Sequence, residues 1–123
     1  MSTFTIIVPI FNEKDNLSRL ESELMKFINS TKFKTKVLII NDGSTDGSKE
    51  IIEKLCNNNN CFESISFVRN CGLSSALKAG FDLCNSEYIG YIDADLQTSP
   101  SDFHVLLKFI DNYDLITGYR SNR

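Results

Sequence analysis

Two unbroken apolar runs constrain this chain most. Thr5-Ile6-Ile7-Val8 and Val37-Leu38-Ile39-Ile40 contain no charged residue. A strand wetted on one side alternates apolar and polar residues, so a continuous run suits a strand covered on both faces. Between the runs, Leu17, Leu20, Leu24, Phe27 and Ile28 recur at helical spacing. Strand, helix, strand in that order is a βαβ unit, and its crossover makes the strands parallel.

Weaker signals extend the alternation. Ile65 to Val68, Tyr88 to Ile92 and Leu115-Ile116-Thr117 read as further strands. Ile51, Ile52 and Leu55 form a second helical stripe. Leu73, Ala76, Leu77, Gly80 and Phe81 form a third, and Phe103, Leu106, Leu107 and Ile110 a fourth. Before the fourth, Ser99 suits a cap, Pro100 the first helical position and Asp102 the positive end of the dipole. The expected fold is α/β, a Rossmann-like doubly wound, mostly parallel sheet in one domain over 1–123. The sequence stops just after the fifth predicted strand, so the sheet is expected to be truncated.

Bulk properties remove several function classes. The 123 residues are 41% hydrophobic and 24% charged, as in ordinary globular domains. A net charge of -3 and no dense Lys/Arg block argue against a nucleic-acid binder. No apolar run approaches the roughly 20 residues that span a bilayer. Met1-Ser2-Thr3-Phe4 runs straight into a strand, without the pattern of a signal peptide. The expected location is the cytoplasm or the cytoplasmic face of a membrane, with membrane contact only through an acceptor or a missing C-terminal region. Cys56, Cys61, Cys71 and Cys84 form no CxxC pair and are expected to be free, partly buried thiols. An unfinished sheet leaves an edge open to homodimerisation.

In open parallel sheets, ligands bind beyond the carboxyl ends of the strands. Three such ends carry acids here: Glu13, Asp42, and Asp93 with Asp95. On an extended chain Asp93 and Asp95 point the same way. Two facing carboxylates repel, and a hard divalent ion such as Mg²⁺ or Mn²⁺ relieves the conflict. The amide oxygen of Gln97 suits the same ion. The plainer reading is that both acids cap a turn. Asn41 to Ser48 is likewise either simple turn chemistry or a loop whose Asp42 accepts hydrogen bonds from a base or ribose. The first loop, Pro9-Ile10-Phe11-Asn12-Glu13, is neither GxGxxG nor a P-loop. Gly80 suggests a close helix–sheet approach. Lys78 and His104 are expected in solvent, without a role.

Together the motifs resemble glycosyltransferase family 2, of the GT-A fold. The match is carried by Ile7-Val8-Pro9-Ile10-Phe11-Asn12-Glu13, Asn41-Asp42-Gly43-Ser44-Thr45-Asp46, Arg69-Asn70 with Gly72, Ala76 and Gly80, and Asp93-Ala94-Asp95-Leu96-Gln97. The last of these is most similar to the polyprenyl-phosphate branch. The resemblance implies a nucleoside-diphosphate-sugar donor, a lipid-phosphate or saccharide acceptor, and inverting transfer. It implies that Pro9, Phe11, Glu13, Asp42, Ser44, Asp93 and Ala94 bind the nucleotide. It also implies that Asp95 and Gln97 hold Mg²⁺ or Mn²⁺, and that Asp95 and Arg120 serve catalysis. One proline follows Gln97 where the family often has two, and Leu73 replaces a usual basic residue or Gly. Two rivals stand beside this reading. One is a donor-binding module without turnover. The other is a signalling receiver, against which the third strand's end, Phe67-Val68-Arg69-Asn70, lacks the Asp to be phosphorylated.

Overall fold

The computed structural model describes residues 2–96 and 99–108. Strands and helices alternate: β1 Thr3–Ile10, α1 Leu17–Ser30, β2 Lys34–Asn41, α2 Ser48–Asn58, β3 Phe62–Ser66, α3 Leu73–Leu83, β4 Tyr88–Tyr91 and α4 Asp102–Leu107. A short 3-10 turn, Lys14–Asn16, leads into α1. The sheet order is β3-β2-β1-β4, and every pairing is parallel. The sequence order runs outward from β1 to β3 and then jumps back beside β1, so the switch point lies between β1 and β4. The predicted strand at Leu115–Thr117 lies outside the described residues.

The two apolar runs are the central strands, as a both-faces-covered strand requires. Alternation sorts their side chains. Ile6, Val8, Ile10, Val37 and Ile39 face one side and pack with Leu17, Leu20, Leu24 and Phe27 of α1 and Ile52 and Leu55 of α2. Ile7, Leu38 and Ile40 face the other side, against Ala76 of α3. Ile6, Ile7, Val8, Ile39 and Ile40 are fully buried. Each such side chain stabilises the fold by about 1.5–3 kcal/mol relative to exposure. Helices on both faces make the sheet doubly wound. A Cβ at Gly80 would lie 2.7 Å from Cγ2 of Ile7, so the glycine lets α3 approach the sheet, as expected.

Several expectations shift. Strand β3 begins three residues earlier than Ile65 and ends two before Val68. Its register is set by buried Phe62 opposite Val37. The chain leaves the sheet where Phe67 N–H donates to the Asn41 carbonyl, and Val68 is fully exposed. Ile51, Leu73 and Phe81 lie outside the core despite their helical spacing, because α2 and α3 present narrower faces, Ile52/Leu55 and Ala76/Gly80. Helix α4 starts at Asp102, with Ser99 and Pro100 in the turn before it. Ile110 lies outside the described residues. His104 is half-buried rather than exposed: its Nε2 is 3.0 Å from the Ser30 hydroxyl and its ring packs on Phe27. Lys78 is in solvent, paired with Asp82. All four cysteines are free; Cys71 is exposed and the other three are partly buried. Among the described residues, no helix is long and apolar enough to cross a membrane.

Candidate functional site

A cleft of about 410 Å³ opens at the carboxyl ends of β1, β2 and β4, beside the switch point. Its apolar wall is Pro9, Ile10 and Phe11 from the end of β1, with Leu73 and Ala94. Its polar wall holds Glu13, Asp42, Asn70, Asp93 and Asp95. The acids expected from separate strand ends thus share one cavity.

The acids are held in different ways. Asp42 is buried, at 4% exposure. Its Oδ1 accepts the Cys71 N–H at 2.7 Å. Its Oδ2 accepts the Gly72 N–H at 3.0 Å and the Asn70 side-chain amide at 3.1 Å. Its carbonyl also accepts from that amide. Three donors on one carboxylate are what make its burial affordable. The adjacent Gly43 has φ 72, and a Cβ there would lie 2.2 Å from the Arg69 carbonyl carbon. The loop after β2 and the loop before α3 therefore pass in direct contact, and only glycine fits.

Glu13 is half-buried, and its carboxylate accepts from the Asn16 amide. Ser44 does not line the cleft. Its hydroxyl accepts the Asn12 N–H at 3.0 Å and so ties the first loop to the second.

Asp93 and Asp95 differ from the extended pair expected. The strand ends at Tyr91, although Ile92 N–H still donates to Ile7. Asp93 to Leu96 is a turn closed by Leu96 N–H on the Asp93 carbonyl, with Leu96 at φ 55. Asp93 is exposed and Asp95 half-buried, and both still line the cleft. The turn, rather than strand alternation, brings them to one place. Gln97 and Arg120 lie outside the described residues. No group of three or more His, Cys, Asp or Glu suited to hold a metal occurs among the described residues.

Asn70, Gly72, Leu73 and Ile10 were not singled out for the site by sequence reasoning. Asn70 and Gly72 carried part of the family resemblance but no site role; locally they are only a polar residue and a glycine just before a helix. No sequence pattern indicates which strand-end loop they would meet.

An all-parallel α/β sheet with an acidic cleft at its switch point defines a doubly wound α/β domain. The sequence matches the family Glycosyl transferase family 2 over residues 5–121, and the chain belongs to that family. It is 29% identical over 121 residues to undecaprenyl-phosphate 4-deoxy-4-formamido-L-arabinose transferase of Pseudomonas syringae, covering 97% of this chain and 36% of that protein. The resemblance to the polyprenyl-phosphate branch therefore holds. Two solved structures share the GT-A fold. Staphylococcus aureus TarS 1-349 in complex with UDP-GlcNAc has a TM-score of 0.71 at 24% identity, over 89% of this chain and 31% of that one. Mannosyltransferase PcManGT from Pyrobaculum calidifontis, in complex with GDP-Man and Mn²⁺, has a TM-score of 0.61 at 23% identity, over 75% and 27%. The chain spans from 36% to 40% of the length of the sequence relatives it matches.

Proposed function

We propose that this chain is the nucleotide-sugar-binding part of a metal-dependent, inverting glycosyltransferase whose acceptor is a polyprenyl phosphate. The observation that carries the reading is the cleft's charge. Glu13, Asp42, Asp93 and Asp95 line it, and no Lys, Arg or His does among the described residues. A like-charge contact at 4 Å costs about 4 kcal/mol at an effective dielectric of 20. An anionic diphosphate therefore needs a cation to enter.

The donor chemistry fits one. The cleft offers carboxylate oxygens, the ligands hard cations prefer, but too few for a closed protein cage. Mg²⁺ is commonly held by one or two carboxylates together with substrate phosphate oxygens. Asp95 and Gln97 are the proposed holders. A bound Mg²⁺ or Mn²⁺ would supply charge neutralisation at the departing diphosphate. The Mn²⁺ in the PcManGT complex supports this choice.

Pro9, Phe11 and Ala94 offer apolar contact to a base, while Glu13, Asp93 and the remaining acceptor capacity of Asp42 bind the nucleoside. Ser44 acts through the loop it ties. A phosphate oxygen of the acceptor attacks the anomeric carbon from the face opposite the leaving group. The anomeric C–O bond to the diphosphate breaks, and the configuration inverts. A phosphate acceptor is already anionic, so positioning matters more than a base. Arg120 is the proposed steering cation. A saccharide hydroxyl acceptor would need a base to take its proton.

Because the chain covers about two fifths or less of its relatives, donor binding without turnover is the second reading for these residues alone. The proposed location is the cytoplasm or, in the full-length protein, the cytoplasmic face of a membrane. Homodimerisation through an open sheet edge is testable by light scattering. A thermal-shift panel of UDP-, GDP- and CDP-sugars with and without Mn²⁺ tests the main reading, since a ligand that binds the native state raises its melting temperature. We expect one base to raise melting only when Mn²⁺ is present. No shift with any donor would refute the proposal.

A further inference from the structure

The loops after β1 and β2 are joined by three hydrogen bonds at their tips. Asn12 N–H donates to the Ser44 hydroxyl at 3.0 Å, and Thr45 N–H donates to Asn12 Oδ1 at 2.7 Å. Lys14 N–H donates to Asp46 Oδ2 at 3.2 Å. Asp46 is itself fixed, because its Oδ1 accepts both the N–H and the hydroxyl of Ser48 at the start of α2. Asn12 holds a left-handed backbone, φ 54, unusual for a residue other than glycine but best tolerated by Asn and Asp. That turn sends Asn12 out to the second loop. Its neighbours Phe11 and Glu13 line the cleft, and Asn12 does not.

We propose that Asn12 is a positioning residue for nucleotide binding: its reciprocal bonds with Ser44 and Thr45 hold Phe11 and Glu13 in register with Asp42. The role rests on the nucleotide-sugar reading above. Asn12 is exposed and contributes nothing to the core. Its side chain has no packing reason to be there, and its two bonds span 32 and 33 residues of sequence. Removing the side chain breaks the Thr45 bond and frees the Phe11–Glu13 wall while leaving the sheet, α1 and the Asp42 latch intact.

The test compares the parent chain with Asn12→Gly and Asn12→Asp. Glycine accepts the left-handed backbone but removes the side-chain acceptor. Aspartate keeps both the backbone preference and an acceptor for Thr45. UDP, GDP and CDP are titrated by calorimetry with Mn²⁺, and melting and amide exchange are followed in parallel. We expect Asn12→Gly to melt within a few degrees of the parent. Its nucleotide affinity should fall about tenfold, the effect of losing the one Thr45 hydrogen bond at ~1.4 kcal/mol. Thr45 N–H should lose exchange protection, and Asn12→Asp should recover most of the affinity. Parent-like affinity in Asn12→Gly overturns the positioning role and leaves the nucleotide reading standing. Equal losses in the Gly and Asp variants also overturn it. A parent that binds none of the three nucleotides removes the nucleotide reading, and this role falls with it.

Discussion

The two walls of the cleft carry the same chemical group under opposite conditions. On the β2 side, Asp42 is buried and accepts three hydrogen bonds from the Asn70–Gly72 loop. On the β4 side, Asp93 is exposed on a turn. A carboxylate saturated by fixed donors serves the architecture first and the ligand second. A carboxylate that solvent reaches keeps its lone pairs for a partner brought from outside. The cleft thus joins a wall fixed by hydrogen bonds to a charged rim that solvent reaches.

The contrast breaks most readily on the rigid side. Gly43→Ala forces a left-handed backbone and drives a Cβ into the Arg69 backbone. Such a backbone alone costs a residue with a side chain about 1–3 kcal/mol. With the clash added, we expect the largest loss of stability in urea unfolding, or failure to fold. Asp42→Asn comes next. It puts an amide NH₂ against N–H donors, and should cost about 2 kcal/mol, near the middle of the range for leaving buried partners unsatisfied. Asp93→Asn separates the walls: unfolding stability should stay within about 0.5 kcal/mol, as for an ordinary surface change, while Mn²⁺-dependent nucleotide affinity drops.

The smallest effect concerns pH. The Ser48 hydroxyl bond, aided by the Lys14 and Ser48 amides, holds the Asp46 carboxyl below its ordinary value of 3.8. A depressed acid stabilises the folded state fully above its unfolded pKa and loses that contribution as pH falls through the folded one. The tie between the first two loops should thus be complete above about pH 4 and weaken below it. Loss of amide-exchange protection at Lys14 on acidification would show this, and Asp46→Asn should abolish the pH dependence.

How much of this was legible in the sequence depends on whether one run or two decided the outcome. Strands β1 and β2 were plain, because covering both faces of a strand demands an unbroken apolar run. Strand β3 was misplaced because its bounds come from pairing with β2. Phe62 is buried opposite Val37, whereas Val68 looks equally strand-like and ends in solvent. The acids were recognisable as strand-end residues and do line one cleft. Their geometry was not legible, since Asp93 and Asp95 meet the cleft through a turn with Leu96 at positive φ. The Asp42 latch and the Asn12 tie were hidden for a further reason. Each joins loops about 30 residues apart, and nothing local distinguishes a partner loop from water.

On the proposed function, the acidic cleft accepts a nucleotide sugar only together with a divalent cation gathered at Asp95. Calorimetric titration of the preferred nucleoside-diphosphate sugar into the parent chain and Asp95→Asn, each with Mn²⁺ and with EDTA, tests it directly. We expect measurable binding by the parent in Mn²⁺ alone, and none by the variant in either condition. Equal affinity of the two chains in Mn²⁺, or parent binding undiminished by EDTA, would contradict it.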